Sequence, residues 1–282
     1  MYIGRLLGLY DKKTVRAGLK PSKFIWLYFK ILILSLLIQA PGLSYSDTLT
    51  FVFSDVEVFP YQMGAGSALS NPPGIAVDII VKAAKNLGHT VRFIRVPNKR
   101  VLLTVQGGKA DGAFVFSYKP EREKYGLYPM KNGKPDGELR IASMSYYFYA
   151  LIRNNMKWDG KKLKGTSLHV GANTGYSIVA DLKKMGYQVE EAKTTRQNFQ
   201  KLKSNRFGVV AAQAITADAY LEYNQDTSIE KIGPPVKTKD YFLMLSHQFY
   251  KKNPERAQDF WKEIASQRDY IAAKKSAKYL KN

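Results

Sequence analysis

The chain has 282 residues, of which 45% are hydrophobic and none is cysteine, and its formal net charge is +21 at pH 7. That length allows one large domain or two small ones around a real core. The lack of cysteine excludes disulfides, thiolate metal sites and lipid attachment through an N-terminal cysteine. So basic a balance first suggests nucleic acid, but Lys and Arg are spread along the chain without an arginine-rich run or an aromatic–basic signature. No nucleic-acid partner is therefore expected; a solvated basic surface, or a field favouring small anions, accounts for the charge.

Residues 1–23 carry Arg5, Lys12, Lys13, Arg16, Lys20 and Lys23 against one acid, Asp11. Phe24 to Ala40 is apolar except for Lys30, Ser35 and Gln39; Pro41-Gly42 breaks it, and Ser44 and Ser46 follow. Basic, apolar, breaker, small-x-small is the order of a secretory signal peptide, so residues 1–46 are expected to be a leader cut near Ser46. The competing reading is an uncleaved membrane anchor, although Lys30 interrupts a run already near the lower limit of about 17 residues for a span. Export without disulfides fits a bacterial periplasm.

Leu49 to Phe53 alternates as a strand, and a Gly/Pro/Ser-rich loop follows it. Ile75, Ile79, Ile80, Ala83 and Leu87 then lie on one face of a helix that Gly88 stops. A strand over "HTVRFIRV" precedes a second helix, expected to be capped by Asn98 and ended by Gly107-Gly108. Ala113 to Phe116 is an apolar strand that runs into Ser117, Tyr118 and then Pro120-Glu121-Arg122-Glu123.

The order helix–Gly–strand–helix–apolar strand recurs later. A helix ends at Gly186, a strand begins at Tyr187, a helix covers Arg196 to Ser204, and the strand Val209 to Ala212 runs into Gln213. Two α/β lobes with mostly parallel sheets are expected. Ser143 to Asn155 reads as a long strand crossing between them, and Lys237 to Ser246 as the return. The expected division is 47–148 plus 242–282 for the first lobe and 149–241 for the second. A C-terminal helix turns Phe260, Ile264 and Ile271 inward. Ligands of such sheets sit beyond the carboxyl ends of the strands, where Ser117 and Gln213 are both placed.

Several residues read two ways. Arg122 is an anion clamp or a surface charge paired with Glu121 or Glu123. Leu168 to Val170 forms a strand, Gly171 to Gly175 a tight loop, and a helix begins near Tyr176. There Asn173 and Thr174 either cap the helix or touch a ligand, and the free amides at the helix start favour an anion. Tyr61, beside Pro60, is a stacking wall or core; Tyr146 and Tyr147 pack the crossing strand. Asp55 closes the first strand, and Glu57 is the spare acid of the following loop. The three histidines form no catalytic constellation, so no enzyme activity and no cofactor is expected.

Four stretches resemble the family 3 extracellular solute-binding proteins: "FPY", "PPGIAVDII", "GGKADGAFVFSYKPERE" and "LKGTSLHVGANTGYS". The resemblance covers nearly all of residues 47–282. It implies a two-lobed type II periplasmic binding fold, each lobe a mostly parallel sheet flanked by helices, with two crossover strands as hinge. It also implies capture of a small amino acid or related organic anion for a separately encoded ABC-type permease. With no apolar surface stripe to announce a dimer, a monomer is expected. Arg122 would grip a carboxylate, Ser117 would add a hydrogen bond, and amides from Thr174, Gly175 and Tyr176 would close the clamp. The family's second-lobe aspartate, which holds the ligand's ammonium, is matched here by Gln213. That leaves Asp55 as the only candidate for the ammonium and admits a non-amino carboxylate, with Tyr61, Tyr118 and Tyr176 as aromatic walls. A dehydratase on the same fold and a sensory module for a membrane receptor are the alternatives.

Overall fold

The structure, a computed structural model, describes residues 47–165 and 169–280. The expected leader lies outside these residues, as does Leu168 of the expected second-lobe strand. Among the described residues no helix is long and apolar enough to cross a membrane.

The chain opens with β1 (Thr48–Ser54), α1 (Ile75–Asn86), β2 (Thr90–Val96), α2 (Asn98–Gln106) and β3 (Gly112–Ser117). A hairpin of β4 (Met130–Lys131) and β5 (Lys134–Pro135) follows. Its turn places Asn132 and Gly133 at φ 52° and 73°, the pair of positive angles a two-residue hairpin loop requires. The crossing strand β6 (Ala142–Leu151) leads to the small hairpin β7 (Lys157–Trp158) and β8 (Leu163–Lys164). Next come β9 (His169–Asn173), α3 (Ile178–Lys184), β10 (Gln188–Ala192), α4 (Thr195–Lys203), β11 (Val209–Gln213) and α5 (Ala214–Tyr223). The return strand β12 (Ile229–Leu245), α6 (His247–Lys252) and α7 (Pro254–Leu280) complete the chain.

Eight strands form one sheet in the order β10-β9-β11-β6-β12-β3-β1-β2. Its two halves have the same plan. β2-β1-β3 are parallel and are closed by antiparallel β12; β10-β9-β11 are parallel and are closed by antiparallel β6. β6 and β12 pair with each other and so join the halves.

Period-two alternation buries both faces of each half. Phe51 and Phe53 face a core with α1 and α7, while Val52 faces a second core with Val101 and Val105 of α2. In the other half Val209 and Ala211 face α3, while Val210 and Ala212 face Phe199 and Leu202 of α4. Phe260, Ile264 and Ile271 of α7 are buried as expected, and Trp261 Nε1 donates to the Leu243 carbonyl at 2.8 Å.

Three boundaries differ from expectation. The crossing strand ends at Leu151, and Ile152–Asn154 is a single 3₁₀ turn closed by Asn155 at φ 45°. The return strand begins eight residues earlier, at Ile229. Gly233-Pro234-Pro235 looks like a breaker, but it falls in a register shift between Ile232 and Lys237, where the missing proline N–H groups disturb no ladder bond. Asn98 does not cap α2; it is the first helical residue, and its side chain reaches elsewhere.

Candidate functional site

β3 is not a regular strand. Phe116 opposes Phe242 and Phe114 opposes Leu243, so Val115 is an extra, unopposed residue. Its φ is 60°, a left-handed conformation that a β-branched side chain tolerates poorly. This bulge re-aims the strand end that carries Ser117, and the single 3₁₀ turn Pro120–Arg122 folds the arginine back over it.

Arg122 is only 8% exposed. Its Nη1 donates to the Ser117 carbonyl at 2.6 Å and to Ser117 Oγ at 3.3 Å, and the group lies 5.2 Å over the Phe116 ring. No carboxylate among the described residues pairs with it. Glu123, an expected partner, accepts instead from the Tyr118 hydroxyl at 2.7 Å. The second nitrogen, Nη2, crosses to the other lobe and donates to the Gly175 carbonyl at 3.3 Å.

At the matching strand end of the second lobe stands Gln213, 4% exposed. Its Nε2 donates to the Tyr241 hydroxyl at 2.8 Å and to the Tyr146 hydroxyl at 3.3 Å, and the two hydroxyls are 2.8 Å apart. The sheet register explains the cluster: Tyr241 of β12 opposes Ser117, and Tyr146 of β6 opposes Gln213. Burial holds both phenols above their ordinary pKa, so they are hydroxyls across the physiological range.

These groups line a cavity of about 40 Å³. Its walls take Ser117 and Arg122 from the first lobe, Gly175, Tyr176 and Gln213 from the second, and Tyr146 and Tyr241 from the crossing strands. Of the lining side chains only Arg122 carries a charge. Two polar atoms there are buried without a partner, Gln213 Oε1 and Ser177 Oγ.

Five of the ten residues singled out from sequence therefore meet at the cavity: Ser117, Arg122, Gly175, Tyr176 and Gln213. The other five do not line it. Asp55 forms an ion pair of 3.2 Å through Oδ2 with Lys193 of the opposite lobe, while its Oδ1 is buried without a partner. Tyr61 packs against the core beside α1, and burial raises its phenol pKa. Tyr118 stands edge-on to Tyr128, outside the cavity. Asn173 is buried in a side-chain network, donating to Thr195 Oγ1 at 3.2 Å and accepting from Asn198 at 2.9 Å. Thr174 contributes only its carbonyl, which accepts from Asn98 Nδ2 at 3.4 Å.

The expected amide clamp is also absent in this arrangement. The N–H of Thr174 donates to the Ala192 carbonyl, that of Gly175 to Glu191 Oε2, and that of Tyr176 to the Asn173 carbonyl. The helix itself begins only at Ile178. Glu57, the spare acid, accepts from the Gly64 N–H at 2.6 Å.

Sequence reasoning missed Gln62, Asn98, Ser177, Tyr146 and Tyr241, all of which line the cavity. The tyrosines carried a usable signal: strands that cross between two lobes must pass under the cleft, so a residue midway along each faces it. Ser177 directly follows Tyr176 in a stretch already singled out, whereas Asn98 read only as a helix cap and meets the Thr174 carbonyl of the opposite lobe. Another residue passed over is Arg95, which donates to the carbonyls of Ser54, Met63, Ala68 and Gly64 and so fixes the Gly-rich loop after β1.

No protein-family model matches the chain, and no curated protein matches it. Solved structures do. An ancestral arginine-binding protein bound to glutamine superposes with a TM-score of 0.62 at 21% identity, over 82% of this chain and 97% of that one. The GluR0 ligand-binding core from Nostoc punctiforme, in complex with L-glutamate, gives 0.63 at 14% identity, over 82% and 98%. A substrate-binding protein of an ABC uptake transporter from Streptococcus pneumoniae, with bound histidine, gives 0.63 at 14%, over 83% and 93%. Likeness at these identities shows the fold: the chain has the two-lobed architecture of the periplasmic binding proteins.

Proposed function

We propose that this chain is an exported solute-binding protein of the family 3 type, which closes two lobes on a small carboxylate-bearing ligand. One observation carries the reading. A buried guanidinium with no acid beside it faces a cavity between the lobes and reaches across to the Gly175 carbonyl. An arginine fork matches a carboxylate in two-point geometry, and a buried cation without a counter-charge favours an anion. The moving bodies are 47–148 with 242–282, and 149–241. Residues 1–46 direct export to the periplasm and are cut near Ser46. The protein is a monomer there, and an ABC-type membrane permease receives the ligand. Solved neighbours that bind glutamine, glutamate and histidine support a ligand of amino-acid size.

A thermal-shift screen of the purified protein against amino acids and small carboxylates tests this. A ligand that binds only the folded form must raise Tm. A carboxylate that raises Tm in the wild type but not in Arg122→Ala supports the reading; a panel in which no carboxylate shifts Tm removes it.

A further inference from the structure

The charge and hydrogen-bond balance of the cavity goes one step further. A zwitterionic amino acid needs a cation for its carboxylate and an anion for its ammonium, because an unpaired charge in a dry site is costly. This cavity supplies only the cation, Arg122. The acid nearest in role, Asp55, does not line the cavity; its Oδ2 pairs with Lys193, and its Oδ1 is buried without a partner outside the lining.

At the other end of the cavity, the donors can be assigned one by one. Gln213 Nε2 has two hydrogens and two tyrosine oxygens within reach, and one tyrosine hydroxyl donates to the other. One tyrosine O–H hydrogen is left over with the Ser177 hydroxyl beside the pair, and the Gln213 Oε1 lone pairs are buried without a partner. Turning the amide over exchanges its acceptor for N–H donors and leaves the group neutral. The complement of such a set is a neutral group that both donates and accepts. An ammonium donates three times and accepts nothing.

We infer that the cavity selects a small monoanion bearing a hydroxyl where an amino acid bears its ammonium, that is, a 2-hydroxy carboxylate. Arg122 takes the carboxylate, and Gln213, Ser177 and the tyrosine pair take the hydroxyl. The inference rests on the proposed function and narrows its ligand class. The volume of about 40 Å³ holds about three water-sized groups, fewer than the non-hydrogen atoms of even the smallest 2-hydroxy carboxylate, so the ligand is received with the lobes further apart than seen here.

The test is calorimetric titration of the protein with matched pairs that differ only at the second carbon: glycolate and glycine, lactate and alanine, 2-hydroxyisovalerate and valine. The hydroxy member is expected to bind more than tenfold tighter in every pair that binds. Gln213→Glu, which puts an anion where the ammonium would sit, is expected to shift that ratio at least tenfold toward the amino member. An amino acid that binds the wild type as tightly as its hydroxy partner, or a ratio that Gln213→Glu leaves unchanged, overturns the inference and leaves carboxylate capture standing. If no member of either series binds at millimolar concentration, the inference and the proposed function fall together. Should Gln213→Glu fail to fold, the wild-type ratio decides alone.

Discussion

β3 and β11 hold the same place in the two lobes, each third in its parallel set, each closed by a crossing strand, each with its last residue at the cavity. They differ in what happens at that end. β11 runs regularly into Gln213, and α5 starts at the next residue, so the strand delivers one neutral amide. β3 bulges at Val115, ends at Ser117 and turns through Pro120–Arg122, so it delivers a hydroxyl and a cation. One backbone plan thus presents two chemistries, and the irregular copy holds the only charge. Strain at a strand end is tolerated where the re-aimed side chains have a task.

The widest expected gap lies in stability. Val210→Gly, in the regular strand, removes a fully buried side chain and adds backbone freedom, and should cost about 3 kcal/mol or more in denaturant unfolding. Val115→Gly relieves a left-handed valine and should cost less than about 1 kcal/mol. Equal losses would show that the bulge is not strained and would undo the contrast between the strands.

Ligand affinity comes next. Arg122→Ala should weaken binding by more than about tenfold, since a charge-assisted hydrogen bond contributes ~1.5–3 kcal/mol. The circular dichroism spectrum should stay native, because the Tyr128 hydroxyl still donates to the Ser117 carbonyl. Gln213→Ala removes a neutral partner and should cost about two- to tenfold. If it costs as much as Arg122→Ala in the same titration, the lobes share the ligand's charge equally and the comparison fails. Lys193→Ala breaks an ion pair at the rim whose lysine is 60% exposed, so affinity should change by less than about fivefold.

The remaining effect is on the pH dependence of stability. Burial, helped by repulsion from Arg122 and Lys239, lowers the Lys119 ammonium to about 8. Below that pH the folded protein holds a penalised charge. Between pH 8 and the ordinary lysine value of about 10.4 the unfolded chain binds more protons, so stability rises with pH. Tyr128, pushed by burial up to about 12, acts in the opposite sense, and its contribution is lost as pH rises above about 10. Lys119→Met should flatten the rise seen in thermal melts between pH 8 and 10 and leave the fall above it. An unchanged rise would assign it to another group.

The strands, helices and lobe plan were legible because they rest on local signals: alternation at Phe51 to Phe53, helical faces in α1, and glycine stops at Gly88 and Gly186. Ser117 and Gln213 were legible as strand-end residues in matching positions, and Arg122 stood out through the family resemblance. What failed was decided by distant chain. The amides of Thr174 and Gly175 looked free, but β10 brings the Ala192 carbonyl and the Glu191 carboxylate to them. Asp55 looked available until the opposite lobe supplied Lys193. Tyr61 and Tyr118 looked like walls because an aromatic side chain reads alike whether it packs in a core or lines a cleft. Val115 gave no warning, since a β-branched residue in an apolar run argues for a regular strand.

Tyr176 packs against the apolar cores of both lobes at once. Parting the lobes must take its ring out of one of them and wet apolar surface that belongs to the protein alone. Where a ligand draws the lobes together, binding therefore carries a negative heat-capacity change even if the ligand is wholly polar.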